Sequence, residues 1–165
     1  YMRYLLILAF ALSAVVLRAE EPVAAATIPF PEIKLMQLDS VQQYDNSILK
    51  KDYRTVFINF SPTCDHCQRT IVSILKNIAS FPQTQFVLTS FDSMEAIRTF
   101  YFNYNLSAYA NVYVGQEIAY SMTKQLKYAG FPSVVLFDQS GKWLHSVHEE
   151  TNAKNILKQY KLPYK

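Results

Sequence analysis

Cys64 and Cys67 are the only cysteines in the 165-residue chain, and only Asp65 and His66 stand between them. A bridge across so short a loop removes little disorder from the unfolded chain, so it would add little stability. The segment Phe57-Ile-Asn-Phe-Ser-Pro-Thr-Cys64 reads as an apolar strand followed by a Ser-Pro turn, and a helical pattern begins directly after it. Two thiols on the first turn of a helix are placed to make and break a disulfide reversibly. Unpaired amide N–H groups and the helix dipole favour negative charge at that end, so Cys64 is the expected nucleophilic thiolate. Cys67, one turn further in, is expected to attack the mixed disulfide on Cys64 and release the product.

His66 and Asp65 are expected to tune the pair in opposite directions. A protonated or donating imidazole lowers the thiol pKa and favours the reduced form, whereas a carboxylate beside the thiolate repels it. This chemistry calls for no cofactor. Two other readings of the pair stay open: half of a zinc site, which needs four ligands, and a vestigial motif. His145 and His148 are the only other histidines. Three apart on a strand pattern, they point to opposite faces and read as surface or half-buried residues, so no metal is expected. The Tyr/Phe-rich stretch from Phe100 to Tyr120 reads as core and helix-face packing, with a substrate-binding aromatic patch as the alternative.

The elements that must hold these residues follow from periodicity. Ile33 to Leu38 alternates apolar and polar residues as an edge strand would, and Val41 to Asp52 suits a short helix or turn. Thr55 to Phe60 and Gln85 to Ser90 read as core strands. Between them Ile71, Ile74, Leu75 and Ile78 fall on one helical face, which Phe81-Pro82 ends. Ser93 to Tyr104 predicts a helix capped by Ser93, Asn111 to Val114 a strand, and Gln116 to Tyr128 a helix. Gly130 to Phe137 and Trp143 to Val147 flank a Gly-containing turn as an antiparallel hairpin, and Thr151 to Lys161 closes the chain as a helix. The order implies an α/β fold, a central mixed sheet with helices on both faces.

The length suits one domain. Half the residues are apolar, 15% are aromatic, 18% are charged and three are glycine, which excludes a disordered or low-complexity chain. The amino terminus differs from the rest. Arg3 precedes an apolar run of 14 residues, Tyr4 to Leu17. That is the length of a signal-peptide core (~7–15) and short of the ~20 that span a bilayer. Residues 1–26 are therefore expected to be a signal peptide, or a membrane anchor, with its leader, and residues 27–165 the folded domain. The protein is expected to be extracytoplasmic (periplasmic), secreted or anchored, and to meet a membrane only through an uncleaved leader. Losing Arg3 and Arg18 leaves 14 basic against 13 acidic residues, which offers no case for nucleic-acid binding.

A strand, a Cys-x-x-Cys at a helix start, and Gly130-Phe-Pro132-Ser-Val-Val-Leu-Phe-Asp-x-x-Gly141 before a hairpin together resemble the thioredoxin superfamily. The segment between Gln85 and Tyr128 resembles the insertion of TlpA/ResA-type extracytoplasmic thiol–disulfide oxidoreductases. The Phe60-Ser-Pro-Thr-Cys-Asp-His-Cys67 version is similar to forms common in Bacteroidetes-type bacteria. The resemblance covers about residues 30–162. It implies a thioredoxin-like fold, a cis Pro132 lying against the cysteine pair, and a Phe131 backbone free to pair with an extended substrate segment. It also implies protein thiols and disulfides as substrates, a redox-recharging partner and a monomer. The potential is expected to lie above the ~−270 mV of thioredoxin. Two departures stand out. The Ser61-Pro62-Thr63 turn is shorter than usual, and Asn59 and Thr70 occupy positions where relatives carry a buried acid.

The expected function is thus an exported thiol–disulfide oxidoreductase working through Cys64 and Cys67. The alternative is a non-catalytic binding module on the same scaffold, for partner or metal capture. A thiol peroxidase fits less well, because Pro62 and Thr63 directly precede Cys64 instead of standing at the peroxidase spacing.

Overall fold

Val56, Phe57 and Ile58 follow one another without a polar break because the strand that carries them is covered on both faces. The computed structural model describes residues 27–164, so the expected leader over residues 1–26 lies outside the described residues. The strands are β1 (Leu35–Met36), β2 (Gln43–Tyr44), β3 (Arg54–Asn59), β4 (Thr84–Ser90), β5 (Val112–Glu117), β6 (Ser133–Phe137) and β7 (Trp143–Val147). The helices are α1 (Asp65–Lys76), α2 (Met94–Asn103), α3 (Ser121–Leu126) and α4 (Ala153–Gln159). One mixed sheet runs in the order β2-β1-β5-β4-β3-β6-β7. β3, β4 and β5 are parallel neighbours, and β6 and β7 add an antiparallel hairpin beside β3. Among the described residues no helix is long and apolar enough to cross a membrane.

Strand alternation splits the core in two. Val56, Ile58 and Phe60 face Ile71 and Ile74 of α1, Ile97 and Phe100 of α2, and Ile156 and Leu157 of α4. Phe57, Val87, Val135 and Phe137 face Met122 and Leu126 of α3 and the incoming chain at Ile28 and Ile33. Helices do lie on both faces, as expected, but unequally. The six-residue α3 is too short to cover its side alone. The extended segment with Pro29 and Pro31 completes the cover, and Phe30 sets its ring edge-on to Phe57 (5.7 Å) and Phe137 (5.0 Å).

Several expected boundaries move. The strand over Ile33–Leu38 shrinks to β1 and is not the edge, since β2 pairs outside it and takes that place within the Val41–Asp52 turn. The helix expected over Gln116–Tyr128 loses its first residues. Gln116 and Glu117 are held in β5 by pairing with Met36 and Leu35. That pairing needs Gly115, where a Cβ would sit 2.8 Å from the Leu35 Cβ and 2.9 Å from the Met36 carbonyl oxygen. The Glu117 carboxylate then accepts the Thr123 N–H (2.6 Å) and hydroxyl (2.9 Å), which starts the shortened helix. α1 stops at Lys76, before Phe81-Pro82, because Asn77 turns back and donates its side-chain amide to the Ser73 carbonyl at 2.8 Å.

Candidate active site

Asn59 is the last residue of β3, and the Phe60 N–H continues the ladder by one bond to the Thr89 carbonyl at 2.9 Å. The Phe60 ring is fully buried against Phe100, centroids 4.7 Å apart, and so anchors the chain just before it turns. The turn closes when the Cys64 N–H donates to the Ser61 carbonyl (3.1 Å) and Gln68 donates its side-chain amide to the Pro62 carbonyl (2.8 Å). Cys64 therefore lands as the N-cap of α1, as the sequence implied. Its Sγ accepts the Cys67 N–H at 3.2 Å, so one orphan amide of the helix start is aimed at the sulfur.

The two thiols differ sharply. Cys64 is half-buried and Cys67 fully buried. Burial, and after it the hydrogen bond and charge of Cys64, push the Cys67 thiol up to about 12. An accessible sulfur at a helix start in front of a buried partner is the asymmetry that stepwise disulfide exchange needs.

The Phe131–Pro132 peptide is cis. Because Ser133 pairs with Asn59, β6 brings this step beside the exit of β3, and the Cys64 thiol donates to the Phe131 carbonyl at 3.9 Å. The Ser133 hydroxyl braces the approach: it accepts the Ala129 N–H (3.2 Å), donates to the Gly130 carbonyl (2.9 Å) and lies 2.9 Å from His148 Nδ1. His148 is thus an exposed residue that also steadies the loop before Pro132.

Of the two intervening residues, Asp65 is exposed in the first helical turn, where its charge suits the dipole. His66 is exposed and its ring meets Glu150 and Arg69. Its Nδ1 lies 2.5 Å from Glu150 Oε2 and 2.8 Å from Arg69 Nη2, while Arg69 grips both Glu150 oxygens at 2.9 and 2.7 Å. Arg69 first, then His66, hold the Glu150 carboxyl down at about 2. Arg69 also feels the charges of Asp65 and Cys64, so this cluster and the Cys64 sulfur lie within electrostatic reach of each other. The same face of α1 continues the fastening. Thr70 Oγ1 donates to the Thr151 carbonyl (3.0 Å) and accepts the Thr151 N–H (3.1 Å), and Ser73 Oγ accepts the Ala153 N–H (3.1 Å).

A depressed carboxyl contributes stability that is complete above its unfolded pKa and fades as pH falls through the folded one. Glu150→Gln is therefore expected to lower the urea midpoint by a constant amount above about pH 4.5 and to converge on the wild type as pH approaches about 2. Parallel acid-side curves for the two proteins would remove Glu150 from the stability of the cluster.

Thr70 and Asn59, the two positions without an acid, are accounted for differently. Thr70 spends its hydroxyl on Thr151. Asn59 points with Phe57 to the α3 face, away from the cluster that holds Cys67. There Asn59 Oδ1, Thr89 Oγ1 and the Tyr128 hydroxyl are buried and meet no hydrogen-bond partner among the described residues, and burial pushes the Tyr128 phenol up. The fold brings Cys64, Cys67, Phe131 and Pro132 together, and Arg69 and Glu150 join His66 beside them without having been expected from the sequence. Arg69 stands three residues after His66, a spacing that marks neighbours on a helix, but nothing local pointed to Glu150.

No protein-family model matches the sequence, and no curated protein matches it. Solved structures do match in shape. A secreted Mycobacterium tuberculosis disulfide oxidoreductase, described as homologous to E. coli DsbE, superposes with a TM-score of 0.63 at 18% identity, covering 79% of this chain and 95% of that one. A thiol-disulfide oxidoreductase from Bacteroides fragilis gives 0.62 at 15% identity, covering 81% and 97%. A thiol:disulfide interchange protein of the thioredoxin family from Chlorobium tepidum gives 0.64 at 13%, covering 83% and 96%. At these identities the likeness is one of architecture: the chain has the thioredoxin-like α/β fold.

Proposed function

We propose, with the thioredoxin-like fold as premise, that the protein is an exported thiol–disulfide oxidoreductase that exchanges disulfides with other proteins through Cys64 and Cys67. The observation that carries this reading is the pairing of a reachable sulfur at a helix N-cap, 3.2 Å from the Cys67 N–H, with a fully buried second thiol. The Cys64 thiolate attacks one sulfur of a client disulfide. That S–S bond breaks, the departing sulfur leaves as a thiolate and takes up a proton, and a mixed disulfide remains on Cys64. Cys67 then gives up its proton and attacks Cys64 Sγ. The mixed disulfide breaks, the second client sulfur leaves as a thiolate and is protonated, and a Cys64–Cys67 disulfide remains, the protein's two electrons having passed to the client. A dithiol partner returns them, and the same steps run backwards oxidise a client.

His66 and Asp65 tune the pair through charge, the imidazole acting together with Arg69 and Glu150. Phe131 and Pro132 present backbone to an extended client strand. With Thr70 and Asn59 both turned elsewhere, the Cys67 proton passes to the departing client thiolate or to water. Residues 27–165 form the working domain and act as a monomer. The apolar run of residues 4–17, and the likeness to a secreted oxidoreductase, support an extracytoplasmic setting, free or anchored through residues 1–26.

Cys67→Ser removes the resolving thiol and is expected to accumulate mixed disulfides between Cys64 and client proteins, visible as reducible high-mass bands that Cys64→Ser abolishes. Absence of such adducts, with exchange at the rate of free thiols, would favour a binding module that uses the scaffold without turnover.

A further inference from the structure

Three large apolar side chains that the core leaves exposed meet in a single row. Phe91 follows β4, Tyr120 follows β5, and Phe131 precedes Pro132. The Phe91 ring lies 5.3 Å from Tyr120 and 5.3 Å from Phe131, inclined at 55° and 62°. They remain 39%, 56% and 38% exposed. Phe91 and Tyr120 leave the ends of parallel strands on the side where Cys64 leaves β3. Phe131 closes the row at the nucleophile, because its carbonyl oxygen is the group that the Cys64 thiol reaches at 3.9 Å.

The backbone is arranged to keep Tyr120 there. Ala119 and Tyr120 take φ of +52° and +56°, a left-handed conformation that non-glycine residues disfavour. The pair is locked by the Ser121 N–H on the Ile118 carbonyl (3.0 Å) and the Lys124 N–H on the Tyr120 carbonyl (3.1 Å). A disfavoured backbone that delivers an aromatic ring to the far end of a row that reaches the Cys64 thiol through Phe131 points to use. Size narrows what the row can hold. At ~150–250 Å² per aromatic side chain, the exposed part totals roughly 200–330 Å², against ~800 Å² per partner in a stable protein interface. That is too little for a lasting dimer and enough for one or two side chains of a segment already tethered by sulfur.

We propose that Phe91, Tyr120 and Phe131 form a docking shelf for client segments that carry an aromatic or branched aliphatic side chain within two residues of the reacting cysteine. The proposal rests on the thiol-exchange reading and gives it a substrate class. Cysteines with such neighbours are buried in folded proteins and reachable in incompletely folded ones, so the shelf selects unfolded clients.

The test uses the whole reduced protein and two peptides, each held as a mixed disulfide with glutathione. One carries Phe two residues from its cysteine and the other Ser. The Phe peptide is expected to react about tenfold faster. Tyr120→Ser and Phe91→Ser, singly and together, bring the ratio towards one, and Phe91→Leu with Tyr120→Leu keeps it. Equal rates in the wild type, or a preference that survives the double Ser variant, would overturn the shelf. A concentration-dependent dimer that the double Ser variant abolishes would instead assign the row to a second copy of the chain. Failure of the wild type to exchange with glutathione disulfide at all would strike the thiol-exchange reading, a separate outcome.

Discussion

Iodoacetamide at pH 8 is expected to alkylate the reduced protein once, at Cys64, and to leave Cys67 untouched until the chain unfolds. Two effects act together. Cys67 has no exposed surface, and its thiol is raised from 9.0 to about 12. Each pKa unit is a factor of ten in thiolate population well below the pKa, so Cys67 offers about a thousandfold less nucleophile than an ordinary thiol at that pH. Mass spectrometry with peptide mapping reads the result directly, and denaturant removes the selectivity. Equal labelling of both cysteines in the folded state would show that Cys67 is not the buried resolving thiol. The same shift has a stability counterpart. Between pH 9 and about 12 the folded chain keeps a proton that the unfolded chain has released, so the reduced form loses stability as pH rises through that window.

The second large effect is on the anchor behind the site. Phe60→Ala empties a fully buried position where the ring packs on Phe100 at 4.7 Å, and Phe100 in turn packs on Tyr104 at 4.5 Å. Phe-to-Ala changes in cores cost about 3–5 kcal/mol, a large part of the ~5–15 kcal/mol that holds a domain together. Urea unfolding should show the midpoint falling accordingly. Phe60→Leu, which keeps most of the volume, should cost about 1–1.5 kcal/mol. Because Ser61 follows at once, the cavity also frees the turn that aims Cys64. Selective alkylation should therefore weaken in Phe60→Ala even where the protein is still folded. A loss below about 1 kcal/mol would mean the ring carries little of the core.

The cysteine pair at a helix start and its frame were legible because their cues are local. Apolar runs such as Thr55–Phe60, an isolated Cys-x-x-Cys and a Phe-Pro step before a strand each carry their meaning within a few residues. The helical period of Ile71 and Ile74 did the same for α1. What escaped depends on contacts distant in sequence. The α3 helix is short because β1 pairs with Glu117, and Glu117 is 82 positions from its partner Leu35 in a strand of two residues. The ring of Phe30 serves as core only because α3 leaves a gap. The Phe100–Tyr120 stretch looked uniform in composition, yet Phe100 is core and Tyr120 surface, a difference set by two left-handed residues that composition does not encode. Glu150 meets Arg69 across 81 residues with no pattern to announce it.

That last contact bears on how the protein comes to be made. Every bond that fastens the Cys64 helix along its His66, Arg69, Thr70 and Ser73 edge goes to the segment 150–153. A growing chain completes β3, its two cysteines and α1 long before it reaches Glu150. Until then the helix has its core face to bind but no clamp on that edge, and closing a loop of this length costs entropy that only the finished contacts repay. The growing chain thus carries its thiols on an unclamped helix from the completion of α1 until Glu150 is made. The segment 150–153 leads directly into α4, so the chain that adds Ile156 and Leu157 to the core also latches the helix that carries Cys64.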